Sequence, residues 1–156
     1  ARLSTTPSLQ IKWLVEETRR YLPAYQTPGS AGMDLHAVED STIEAGGRAL
    51  APCGFSMAIP LGYEAQIRPR SGLAFKHGIT VLNAPGTIDS DYRGELKVLL
   101  VNTSSQDFPI KVGDRIAQMI LAPVVQMPLV ITDTLDDTER GAGGFGHTGQ
   151  GASKTP

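Results

Sequence analysis

Asp89-Ser90-Asp91-Tyr92-Arg93-Gly94 crowds two carboxylates, a phenol ring and a guanidinium into one turn. β-Prone residues flank it on both sides from Asn83 to Leu100, so the stretch reads as a β-hairpin with a functional tip. A hairpin that only reversed the chain would need little more than Asn-Gly; a polar turn solvated by its own charges is the plain alternative. A second chemistry-bearing stretch is Arg140-Gly141-Ala142-Gly143-Gly144-Phe145-Gly146-His147-Thr148-Gly149. It has the spacing of a dinucleotide-binding loop, but no strand leads into it and no room remains for a crossover helix, so that reading fails. Its consecutive glycines can still turn backbone N–H groups toward an anion, with Arg140 and Thr148 adding a charge and a hydroxyl. Phe145, isolated among glycines, reads as a lid over a flat ligand such as a base; docking on a neighbouring subunit is the alternative.

Three further segments carry weaker signals. Pro69-Arg70-Ser71-Gly72-Leu73-Ala74 sets an arginine and a hydroxyl at a helix start, where free N–H groups favour phosphate, although Ser71 could equally be a plain N-cap. Ala31-Gly32-Met33-Asp34-Leu35 places a carboxylate in a strand, a position that disfavours Asp unless it has a task. Gly113-Asp114-Arg115-Ile116-Ala117-Gln118 puts an amide into an apolar run, where it needs partners. His36, His77 and His147 lack metal-ligand spacing, and no nucleophilic serine signature is present.

The elements that must position these groups are short. Gly 17 and Pro 11 cut the 156 residues into segments that alternate apolar with polar residues, the punctuation of an all-β domain. Strands are expected at Ile11 to Val15, Met33 to Val38, Ser41 to Ala45, Arg48 to Pro52, Phe55 to Ile59, Tyr63 to Arg68, Ile79 to Leu82, Val98 to Asn102 and Leu129 to Thr132. Arg115 to Pro123 is a further apolar run, and Ser71 to His77 is the one convincing helix in the middle. About ten strands suggest a jelly roll, a distorted barrel or sandwich, with one short helix. Residues 1–135 form this single domain; residues 136–156 form a Gly-rich C-terminal arm that is mobile when nothing is bound, because burial cannot offset its ordering entropy.

Net charge of −2 without long charge runs argues against nucleic acid and membrane surfaces and for a small partner. Cys53, the single cysteine, excludes an intrachain disulfide and suits a reducing, cytoplasmic compartment; its plain role is a small buried apolar residue. No apolar window spans a membrane and no secretion signal opens the chain, so the sequon Asn102-Thr103-Ser104 reads as chance.

In order, the five segments beginning at Ala31, Pro69, Gly86, Gly113 and Arg140 resemble the five motifs of the trimeric deoxyuridine triphosphatase (dUTPase) family. The resemblance runs from Ala31 to Gly149. It implies a jelly-roll homotrimer with active sites shared between subunits and Mg²⁺-dependent hydrolysis of dUTP to dUMP and pyrophosphate, which keeps uracil out of DNA and supplies dUMP. Asp89 would be the general base, and Tyr92 would stack on deoxyribose and exclude a 2′-hydroxyl. The backbone of Thr87, Ile88, Asp89 and Lys97, with Asn83, would pair with uracil. Arg70, Ser71, Gly72 and Gln118 would hold phosphates, and Asp34 would grip Mg²⁺ through water. Phe145 would close over uracil, with Arg140, Gly146 and Thr148 on the outer phosphates; His147 stands where family members often carry serine. A dCTP deaminase on the same fold and a non-catalytic nucleotide-binding module are the other readings.

Overall fold

Alternation along the strands sorts the side chains into a core. In the computed structural model, which describes residues 6–152, β1 (Gln10–Trp13) is followed by a 3₁₀ segment (Glu16–Tyr21), β2 (Gly32–His36), β3 (Ser41–Ile43), β4 (Arg48–Ala58) and β5 (Tyr63–Arg68). Helix α1 (Ser71–His77) then leads to β6 (Ile79–Val81), β7 (Gly86–Ile88), β8 (Glu95–Asn102), β9 (Phe108–Ile110) and β10 (Arg115–Pro123). One four-stranded sheet runs β1-β4-β8-β6, a second runs β2-β10-β5-β7, and β3 pairs with β9. The described residues are thus all-β with one short α-helix, as expected, in sheets rather than a closed barrel.

β8 shows why the sheets form: Leu96, Val98, Leu100 and Asn102 are buried, and the residues between them are partly or fully exposed. β10 is central in its sheet and buries residues on both faces, which accounts for its apolar run. Phe55, Leu35, Ile43, Ile79 and Met119 are fully buried in the shared core, each such side chain contributing about 1.5–3 kcal/mol by leaving water. Trp13 stacks on Phe55 with ring centroids 5.7 Å apart, fastening β1 to the core. Cys53 is buried there too, and burial, reinforced by the charge of Glu95, pushes its thiol up to about 12. It is a packing residue.

Three expectations change, and one element is new. The segments Arg48 to Pro52 and Phe55 to Ile59 join into one strand, β4, because a bulge between Pro52 and Ser56 carries the chain through Gly54 at φ +81°. The 3₁₀ segment Glu16–Tyr21 was not legible, since no apolar period marks it. Leu129 to Thr132 forms no strand: its β-branched composition is right, but it pairs with no strand among the described residues. Most consequentially, the two segments beside the Asp89 turn do not pair with each other. Gly86–Ile88 pairs with β5 in the second sheet, whereas Glu95–Asn102 pairs with β4 and β6 in the first. The antiparallel pair is β6 with β8, and the turn bridges two sheets.

The sequon is closed off by packing. Asn102 is fully buried; its Nδ2 donates to Ile43 O at 3.0 Å and Gln106 O at 2.7 Å, and its Oδ1 accepts from Ser104 N at 3.0 Å and Ser104 Oγ at 2.8 Å. All four of its hydrogen-bonding positions are used.

The described chain divides into two compact units, residues 1–125 and 126–156. The second holds turns and no named strand among its described residues. Residues 153–156 of the expected arm lie outside the described residues.

Candidate active site

Two groups of the sequence-selected residues assemble in the first unit. The first is built by β2, β5 and β10. Asp34 on β2 lies opposite Gln118 on β10, which in turn lies opposite Arg68 at the end of β5. Two residues on, Arg70 sits extended just before α1, at φ −95° and ψ 128°. Its Nε is 3.8 Å from Asp34 Oδ1, and its Nη1 donates to Arg115 O at 3.1 Å. Arg115 Nη1 reaches Asp34 Oδ2 at 3.6 Å. Gln118 Nε2 donates to Pro69 O at 3.1 Å, which supplies the partner its half-buried amide needs.

Arg115 belongs to this group although the spacing along a strand argues otherwise. Residues three apart on a strand face opposite sides. A register shift between Arg115 and Ala117 inserts one residue, which returns Arg115 to the face of Asp34 and Gln118. Gly32 makes the room: a Cβ there would sit 2.6 Å from Gln118 Oε1.

Electrostatically, one carboxylate faces two guanidiniums. At 3.6 and 3.8 Å these are charge contacts rather than hydrogen bonds. Guanidinium N–H donors therefore stay available, and the surplus positive charge suits an anion such as phosphate. Arg70 occupies the cap position of α1, no side chain caps the helix, and Ser71 is its first residue, exposed with Gly72. The plain N-cap reading of Ser71 is thus set aside. Behind the group, the His36 ring packs against Tyr21 at 5.5 Å and its Nδ1 is buried without a hydrogen-bond partner among the described residues. Burial lowers the His36 pKa below its ordinary 6.5, against the opposing pull of Asp34.

The second group surrounds a cleft of about 340 Å³ lined by Thr87, Ile88, Asp89, Tyr92, Glu95, Leu96, Lys97 and Leu50. Asp89 and Lys97 are exposed. The turn closes on itself: Tyr92 N donates to Asp89 O at 3.2 Å, and Tyr92 Oη donates to Glu95 O at 3.0 Å. Gly94 leaves room for the ring, since a Cβ would stand 2.6 Å from Tyr92 Cζ and push the side chain aside. Asn83 lies beside Gly86, its Nδ2 3.3 Å from where a Cβ would be. No hydrogen bond or ion pair among the described residues joins this group to the Asp34 group.

Arg140, Phe145, Gly146 and Thr148 lie in the second unit. Arg140 Nε donates to Gly143 O at 2.8 Å, and turns close at Gly141, Gly143, His147 and Gly149. Phe145 is fully exposed, with φ +50°. Among the described residues no group of three or more His, Cys, Asp or Glu could hold a metal ion by itself. A lone carboxylate flanked by phosphate-seeking arginines fits Mg²⁺ that arrives on phosphates with its waters.

Comparison with known proteins points the same way. The dUTPase family model matches residues 19–149. A deoxyuridine 5′-triphosphate nucleotidohydrolase of Nautilia profundicola is 61% identical over 142 residues, covering 91% of this chain and 99% of that one. Its counterpart in Sinorhizobium medicae is 57% identical over 152 residues, 95% of each chain. Among solved structures, a dUTPase of Staphylococcus bacteriophage 80alpha with dUpNHpp superposes with a TM-score of 0.84 at 25% identity, covering 93% of this chain and 100% of that one. A phage phi11 dUTPase variant, described with a structural Mg(II) ion, shares the fold at a TM-score of 0.76 and 22% identity, covering 84% of this chain and 100% of that one.

Proposed function

The chain belongs to the dUTPase family, and from that premise we propose that it hydrolyses dUTP to dUMP and pyrophosphate with Asp89 as the general base. The observation that carries the residue assignment is the cleft in which Asp89, Tyr92, Thr87, Ile88 and Lys97 meet. Asp89 orients a water and takes its proton as the oxygen attacks the α-phosphorus. Tyr92, fixed by its bond to Glu95 O and by Gly94 beneath it, presents its ring to deoxyribose and excludes a 2′-hydroxyl. Thr87, Ile88, Asn83 and Lys97 pair with the uracil edge; a cytosine there leaves buried polar groups unmatched.

Arg70, Ser71, Gly72 and Gln118 hold the phosphates, joined by Arg115, whose guanidinium shares Asp34 with Arg70. Asp34 would hold Mg²⁺ through water, and the ion would supply charge neutralisation to the phosphates. Phe145 closes over uracil while Arg140, Gly146 and Thr148 meet the outer phosphates, which orders the arm on substrate binding. His147 keeps the backbone donor that a serine at that place would offer. No hydrogen bond or ion pair among the described residues joins the nucleoside and phosphate groups, and a homotrimer with sites completed between subunits accounts for both. The single buried cysteine suits a reducing, cytoplasmic setting.

The test is product analysis after mixing the protein with dUTP and Mg²⁺, with dCTP, dTTP and UTP in parallel. Release of dUMP and pyrophosphate from dUTP alone is expected. Deamination of dCTP, or silence on all four nucleotides, overturns the proposal.

A further inference from the structure

We propose that Arg93 is a positioning residue for this reaction, holding the Asp89–Tyr92 turn in its working shape; the inference rests on the assignment of Asp89 above. The turn cannot borrow rigidity from a ladder across it, because the strands on its two sides pair in different sheets. Arg93 supplies a brace instead. Its Nη1 donates to Ser90 O at 2.6 Å and to Tyr92 O at 3.2 Å. Those carbonyls stand on either side of Asp91, the first next to Asp89 and the second on Tyr92 itself. One guanidinium nitrogen thus ties the base end of the turn to its sugar-facing end.

A solvated charge on an acidic tip would behave differently. Asp89, Asp91 and Glu95 are all within four residues, yet among the described residues Arg93 forms an ion pair with none of them. Its cation spends itself on backbone carbonyls and leaves the Asp89 carboxylate unclaimed, as a base requires. Arg93 also shares a cleft of about 350 Å³ with Ile11, Leu14 and Met57 on the β1–β4 side of the first sheet. Lysine, whose ammonium ends about one bond short of the Nη1 position, reproduces this arrangement only in part.

Arg93→Met keeps the stem and removes every donor; Arg93→Lys restores a cation that reaches one carbonyl. Steady-state dUTP turnover is measured for the unsubstituted protein and both variants, with a melting temperature for each. A small displacement of a reacting group costs up to about 100-fold. The expected result is a fall in kcat of about tenfold or more for Arg93→Met, with KM within about threefold and an unchanged melting temperature, and substantial recovery in Arg93→Lys. A kcat for Arg93→Met within about twofold of the unsubstituted value overturns the positioning role while leaving the function standing. So does a loss that tracks a lowered melting temperature and is equal in Arg93→Lys. If the unsubstituted protein fails to hydrolyse dUTP, the functional assignment falls, and this inference with it.

Discussion

The turn at Asp89–Gly94 and the segment from Gln126 to Ala152 are both largely exposed, and both stitched by bonds of short sequence range. Tyr92 N to Asp89 O and Tyr92 Oη to Glu95 O in one have their like in Gly143 N to Arg140 O and Arg140 Nε to Gly143 O in the other. Their ends differ. The turn is held between Gly86 and Leu96, both buried, on strands of two separate sheets. The 126–152 segment has no strand among the described residues to pin its far side, and Met127, Leu129, Val130, Ile131 and Leu135 are exposed along it. Closing a short loop between fixed ends leaves little conformational freedom to lose, whereas a segment without them must be ordered by what it binds. The proposal accordingly divides the labour: a preorganised turn selects base and sugar, and a ligand-ordered arm seals the phosphates.

The division can be broken in four ways. The largest effect is expected for Asp89→Asn, which removes the base from the preorganised side. Turnover of dUTP falls by about 10³-fold while binding of a non-hydrolysable analogue persists, read by steady-state kinetics and calorimetry. Next, a chain ending at Leu135 loses the phosphate seal. Turnover falls by about 100-fold, and the melting temperature of the remaining chain stays near that of the full one, because the core lies within residues 1–125. A collapse of stability in that chain would show the two regions to be one folding unit.

Gly94→Ala sharpens the comparison from the other side. The new Cβ meets the Tyr92 ring and displaces it, so kcat/KM for dUTP drops by about tenfold and discrimination against UTP narrows. Smallest is a pH effect on stability. His36 binds its proton less readily when folded than its ordinary 6.5, because burial disfavours the charged form. Its contribution is therefore present above about pH 6.5 and lost as the pH falls below it. Melting temperature is expected to decline across that range, and to decline less in His36→Gln.

Much of this was legible locally. β5 at Tyr63–Arg68, α1 at Ser71–His77 and β10 at Arg115–Pro123 have the bounds that alternation, Pro69 and Gly78 indicate, since those signals act within a few residues. The types and order of the chemistry-bearing residues were likewise set along the chain. Asp34 and Gln118 were singled out for a carboxylate or amide in a place that discourages it and Arg70 for its position at a helix start, and the fold gathers them. Strand partnership was not legible: nothing near Gly86–Ile88 says that it pairs with β5 rather than β8, because register is chosen by partners distant in sequence. Arg115 was missed for the same reason. Its membership depends on one inserted residue in β10, and a bulge that flips a side chain to the other face leaves no mark on the apolar pattern. By itself, then, the sequence determined which groups this protein has to work with and the elements that carry them. Tertiary structure alone decided which of those groups meet, because pairing between sheets is settled by contacts that no local period encodes.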